Sequence, residues 1–142
     1  MSKQTTFKTG LAEGFSKKLN RAVNVQLEAK ASEIAQDAVM LSPVYSGAYV
    51  RSFSFKANNT SATGRGQTSR SSNKSSTPDF EKQQGLSNLD GDISSIFSDP
   101  NIKIKTLTLR NDSPHAKLVE DGPIKTAPNG VKVFAQIRNK HG

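Results

Sequence analysis

The chain has 142 residues, enough for one domain and too few for two of typical size, and 33% of them are apolar, lean for a self-sufficient core. It has no cysteine, which excludes disulfides, thiolate metal sites and thiol chemistry, and no apolar run near the roughly 18–20 residues that cross a bilayer. The formal charge of +8 is uneven: residues 1–56 hold 8 basic and 4 acidic side chains (+4), residues 57–100 hold 4 and 5 (−1), and residues 101–142 hold 8 and 3 (+5). The excess falls in the two segments with folding patterns, and its spread suits a solvated or protein-facing surface better than a nucleic-acid site. The opening "MSKQTTFKTG" has a lysine but no apolar stretch, so no secretory signal is expected and a cytosolic origin fits.

The first predicted element is a helix over residues 9–41. Leu11, Phe15, Leu19, Ala22 or Val23, Leu27, Ala31, Ile34, Ala38 and Leu41 recur at spacings of three and four, one stripe of an amphipathic helix. Thr9 or Gly10 caps its start, and Pro43 ends it by pushing Ser42 out of the helical region. Asn20 and Asn24 mark a place where it could break in two. Pro43 and Gly47 then bracket a turn that fixes the next corner. Over residues 48–56, Tyr49, Arg51, Phe53 and Phe55 alternate with smaller or polar residues, the period of a half-buried strand.

Residues 57–79 contain ten serines and threonines and no apolar residue larger than alanine, too little to offset the entropy of ordering. We therefore read residues 57–100 as an extended arm that gains order by lying on a neighbouring chain. Arg65, Arg70 and Lys74 make its first half basic; five acids and scattered apolar anchors, Phe80 first, fill its second half. Deleting residues 60–78 is expected to impair assembly without unfolding the rest. A strand pattern resumes at residue 101, with a change of phase at residues 105 and 106 that suggests a bulge. Residues 131–138 fit a strand or a short helix equally.

The stretch "SPHAKLVEDGP", residues 113–123, concentrates a histidine, a lysine and two acids. A capped helix accounts for all of them: Asp112 or Ser113 as N-cap, Pro114 at the first position, Gly122 and Pro123 as the stop. Ala116 and Val119 or Leu118 would then face inward, and Lys117, Glu120 and Asp121 outward. Catalysis would need a partner for His115, yet the only other histidine is His141, near the end. No Gly-x-Ser-x-Gly elbow, clustered metal-ligand set or phosphate-cradling glycine loop is present, so no enzyme, metal or cofactor is expected. The Asn-x-Ser/Thr triplets at Asn58, Asn73 and Asn111 have no meaning without secretion.

The elements add up to an α+β chain in one domain: helix, strand, arm, then strand, short helix and C-terminal segment. Their order, with "LSPVYSGAYVRSFSF" (41–55), "LRNDSPHAKLVEDGP" (109–123) and "APNGVKVF" (127–134), resembles the tail-completion and head–tail joining (neck) proteins of tailed bacteriophages. The nearest group is typified by a neck protein of phage HK97 and the minor tail protein Z of phage lambda. With the helix, the resemblance spans roughly 90 residues and leaves out the Ser-rich arm. It departs at Asp121, where relatives often carry an aromatic residue, and at the shorter C-terminus "RNKHG". The resemblance implies a long N-terminal helix packed on a small antiparallel β-sheet, with the arm inserted between strands. It implies a structural virion protein, with no substrate or cofactor.

The expected partners are further copies of the chain in a ring (six-fold favoured, twelve-fold the alternative), the portal or adaptor (connector) protein, and the tail tube or tail terminator protein. Packaged DNA in the channel is a further candidate, and no membrane is involved. The residues expected at these contacts are Pro43, Tyr45, Gly47, Arg51, Arg65, Arg70, Lys74, Phe80, Pro114, His115, Glu120 and Gly122. The rival reading is a small basic DNA-binding protein using Lys17, Lys18 and Arg21 on the helix and Lys103, Lys105 and Arg110 on a strand. Against it, no aromatic platform interleaves these residues and no recognition-helix motif is visible.

Overall fold

The structure is a computed structural model, and it describes residues 3–8, 17–44, 47–58, 77–124 and 127–141. In chain order the elements are β1 (Lys3–Lys8), α1 (Lys17–Leu41), α2 (Ala48–Arg51), β2 (Phe53–Ala57), α3 (Pro78–Ile96), β3 (Thr106–Asn111), α4 (Ala116–Asp121) and α5 (Val133–His141). The class is α+β, as the sequence predicts. The sheet is antiparallel throughout, in the order β1-β3-β2.

The strand period of two divides the sheet's faces. Phe7 and Ala57 lie opposite Leu107, and Thr5 and Phe55 lie opposite Leu109, so one face is mainly apolar. Helices cover it: Phe53, Phe55, Leu107 and Leu109 join one core with Ala31, Ile34, Ala35 and Ala38 of α1, Leu89 and Ile93 of α3, and Phe134 and Ile137 of α5. The other face is polar, with Gln4, Thr6, Thr108, Arg110, Ser54 and Lys56 in register, and the Thr6 and Thr108 hydroxyls hydrogen-bonded at 2.9 Å.

Helix α1 is unbroken through residues 20–24. Asn20 and Asn24 continue the buried stripe, and each donates from Nδ2 to the Ile102 carbonyl, at 2.9 and 2.8 Å. These bonds fasten the residues before β3 to the helix. They also explain why the strand begins only at Thr106: the carbonyls of residues 101 and 102 accept from α1, and Asn58 receives the Lys105 amide at 2.7 Å. What was expected as a bulge at residues 105 and 106 is the start of the strand.

Three further expectations are corrected. Residues 48–51 are a helical turn, with strand only from Phe53. Gly47 sits at φ 84, which turns the chain into α2; Ala48, Tyr49 and Val50 are all buried in succession, which no half-buried strand allows. Residues 57–100 are not all arm, because residues 78–96 form α3. Thr77 caps it by accepting from the Phe80 amide at 3.1 Å, Pro78 takes the first position, and Leu89 and Ile93 bury one turn apart. The 60–78 deletion would therefore remove that cap. β1 is a strand where the sequence suggested no element, and of the segment at 131–138, left open between strand and short helix, residues 133–138 lie in the helix α5.

Candidate interaction site

The three stretches that carry the phage-neck resemblance converge in space. Asn111, the last residue of β3, donates from Nδ2 to the Tyr49 carbonyl at 2.8 Å and accepts from the Ser113 amide at 2.9 Å. Ser113 Oγ in turn accepts from the His115 amide at 3.1 Å. The helix itself begins at Ala116 with His115 at its N-cap position and no side-chain cap, so Ser113 and Pro114 form a turn before α4 and are not its cap and first residue as expected. At its other end, Gly122 donates to the Leu118 carbonyl at 2.8 Å with φ 78. A Cβ there would strike the Pro128 carbonyl, and one at Gly130 would strike that of Glu120, so only glycine lets these chains pass.

Glu120 does not face outward. It is buried, accepting from the Phe134 amide at 2.8 Å and from the Ala135 amide at 3.2 Å. Its carboxylate thus satisfies the free N–H groups at the start of α5, where a negative charge also meets the positive end of the helix dipole. Nothing in local periodicity signals this; the only cue is an acid 13 residues before the helix it caps.

At the 43–47 corner, the Ser42 hydroxyl donates to the Ala38 carbonyl and Pro43 ends α1. Gly47 then packs on the Glu81 carboxylate, leaving no room for a Cβ. Arg51 is not a surface contact: its Nε stands 2.8 Å from Glu81 Oε2, with both side chains largely buried. This ion pair joins α2 to α3.

Between the corner and α4 lies a mostly apolar cavity of about 260 Å³, lined by Pro43, Gly47, Tyr49, His115, Leu118, Val119 and Ile124. Tyr49 is buried, and its hydroxyl has no hydrogen-bond partner among the described residues. Burial pushes this phenol's pKa up, and the charge of Glu120 adds to the effect, so it stays a proton donor at any ordinary pH. Leu118, expected as an alternative inward residue, stands 43% exposed at the cavity. Other large apolar side chains are exposed among the described residues: Met40 near the end of α1, its carbonyl bonded by Lys82 of α3, and Phe80, next to Glu81 in the first turn of α3.

Of the expected contact residues, Pro43, Gly47 and His115 meet at the cavity, and Pro114 is exposed beside it. Phe80 is partly exposed, whereas Arg51, Glu120 and Gly122 hold the fold from within. Tyr45, Arg65, Arg70 and Lys74 lie outside the described residues. Tyr49, Leu118, Val119 and Ile124 complete the cavity without having been expected there. The described residues contain no group of three or more side chains suited to a metal ion, and no helix long and apolar enough to cross a membrane. Among protein-family models, curated proteins and solved structures, none matches this chain.

Proposed function

We propose that the chain is a structural virion protein of the neck of a tailed bacteriophage, a ring subunit that completes the tail or joins it to the head connector. The observation that carries this reading is the convergence of the three stretches behind the resemblance. Residues 41–55 are far in sequence from the neighbouring stretches 109–123 and 127–134, yet the Asn111–Tyr49 hydrogen bond ties the first stretch to the second, and the Glu120–Phe134 bond holds the second to the third. Residues of the first two stretches, with Ile124, also wall one apolar cavity at the surface, the kind of feature a protein–protein contact uses. A lean core accords with a subunit that buries further surface against neighbours.

The test is electron microscopy of particles from a phage lacking this chain. Filled heads and finished tails that fail to join are expected; normally joined virions would end the reading.

One observation favours DNA contact as a second reading. The Asn20 and Asn24 bonds bring Arg21 alongside residues 101–105, so Arg21, Lys103 and Lys105 are exposed along one edge of the molecule. Phosphate binding there would make log K fall by about 0.9 per phosphate as log salt rises. Arg110 takes no part, since it pairs with Asp112 at 2.6 Å.

A further inference from the structure

We propose that Asn129 is a deamidation site that the fold holds shut. The turn Ala127–Gly130 keeps the Gly130 nitrogen from attacking the Asn129 side chain, and opening of the segment between α4 and α5 releases the reaction. The inference is independent of the neck reading.

Residues 129 and 130 form the only Asn-Gly pair in the chain. Such a pair is the asparagine context most prone to lose ammonia, because glycine has no side chain to shield its own nitrogen. In the reaction the Gly130 nitrogen bonds to Asn129 Cγ, the Cγ–Nδ2 bond breaks, and ammonia leaves with the proton of the Gly130 amide. Water then opens the five-membered imide at either carbonyl, giving aspartate or isoaspartate.

The fold withholds the nucleophile. The Gly130 amide donates to the Ala127 carbonyl at 2.9 Å, closing a four-residue turn with Pro128 in its second position. Asn129 keeps a negative φ, which makes the turn type I with ψ near 0 at that residue. Imide closure needs the Gly130 nitrogen eclipsed with Asn129 Cβ, roughly a third of a turn away about the Cα–C bond. That rotation would break the Gly130–Ala127 bond.

Neighbouring backbone keeps the turn from yielding. A Cβ at Gly122 would lie 2.7 Å from the Gly130 nitrogen, and one at Gly130 would strike the Glu120 carbonyl, so Gly130 is wedged between these two strands of chain. The next amide, that of Val131, donates to the Val119 carbonyl at 2.7 Å. The Asn129 side chain itself is exposed, so water reaches it freely and the block lies at the nitrogen. Isoaspartate would add one carbon to the backbone beside Gly130, where the Glu120 carbonyl leaves no room, so a chain modified while open does not close as before.

The test follows deamidation at residue 129 by peptide mass spectrometry, with the full chain kept in mildly alkaline buffer, native or unfolded in urea. The native chain should convert at least about tenfold more slowly, because only its open fraction reacts. Equal rates would overturn the proposal. Pro128 is exposed, so Pro128→Gly loosens the turn without disturbing the core. It should speed the native reaction about threefold or more and leave the rate in urea unchanged. A Pro128→Gly chain that melts like the unmodified one and reacts no faster would show that the turn is not the block, and would overturn the proposal as well.

Discussion

Two buried carboxylates, Glu81 and Glu120, hold the two ends of the cavity wall in different ways. Both are buried, 3% and 6% exposed, and each fixes a junction between two helices. Glu120 faces two backbone amides at the start of α5. Glu81 faces one guanidinium, that of Arg51, and its Oε1 has no donor among the described residues. The first depends on hydrogen bonds that the backbone offers whatever the neighbouring side chains are. The second depends on a single opposing charge. Carboxylates buried to the same depth are thus differently exposed to mutation: the Glu81 junction is brittle, and the Glu120 junction degrades by steps.

The largest expected effect breaks the brittle junction. Arg51→Ala strands the Glu81 carboxylate under Gly47 and should cost about 3–5 kcal/mol in urea unfolding. Replacing both partners, as Arg51→Met with Glu81→Leu, should recover most of that loss, because a well-packed apolar pair often equals a buried ion pair. If the double variant is no better than the single one, the junction depends on more than the charge pair.

A smaller effect is expected at Glu120. Glu120→Ala leaves two amides at the α5 terminus without their acceptor and should cost about 2 kcal/mol. Glu120→Gln keeps one acceptor oxygen and loses the charge, and should cost about half as much. A Gln variant as unstable as the Ala variant would show that Glu120 acts by charge alone, which would erase its contrast with Glu81.

Neither junction was visible as such in the sequence. Helix α1 was legible because 25 residues repeat one pattern, and α4 because its stop at Gly122 is local chemistry, although it starts at Ala116, two residues after the expected Pro114. Helix α3 carried its own signals, Thr77-Pro78-Asp79 and the Leu89–Ile93 pair. They were passed over because the arm read from the Ser-rich stretch before them was carried on to residue 100. Gly85 has a tertiary reason: a Cβ there would strike the Val50 carbonyl, so α3 packs closely on α2. The turn at residues 48–51 shows the converse, four residues whose alternation imitates a strand while Gly47 directs a helical turn. Strand β1, KQTTFK, has Phe7 as its one large apolar residue, so no alternation marked it, and its pairing with β3 decides its conformation. For the site, the sequence pointed to Pro43, Gly47 and His115 separately. Their meeting at one cavity is a product of long-range hydrogen bonds, which no local pattern encodes.

A third carboxylate, Asp37, sets the mild end of the comparison. It lies near the surface of α1 and ties down the end of α5: His141 Nε2 stands 2.6 Å from Asp37 Oδ2, and Lys140 Nζ stands 3.0 Å from it. The His141 hydrogen bond, with help from Lys140, holds the Asp37 carboxyl below the usual carboxylate range despite partial burial. A carboxylate whose folded-state pKa is lowered stabilises the fold fully above its unfolded value, about 3.9 for aspartate, and that stabilisation fades as pH falls through the folded value. Asp37→Asn should therefore lower stability at neutral pH by only about 0.5 kcal/mol, since Lys140 is largely in water and exposed pairs contribute little. Thermal melts of the two proteins across pH should show a gap at pH 7 that closes on acidification below the usual aspartate value. A gap that persists there would assign the effect of Asp37 to packing under the buried His141 ring, and place this end of α5 with the Glu120 kind of junction.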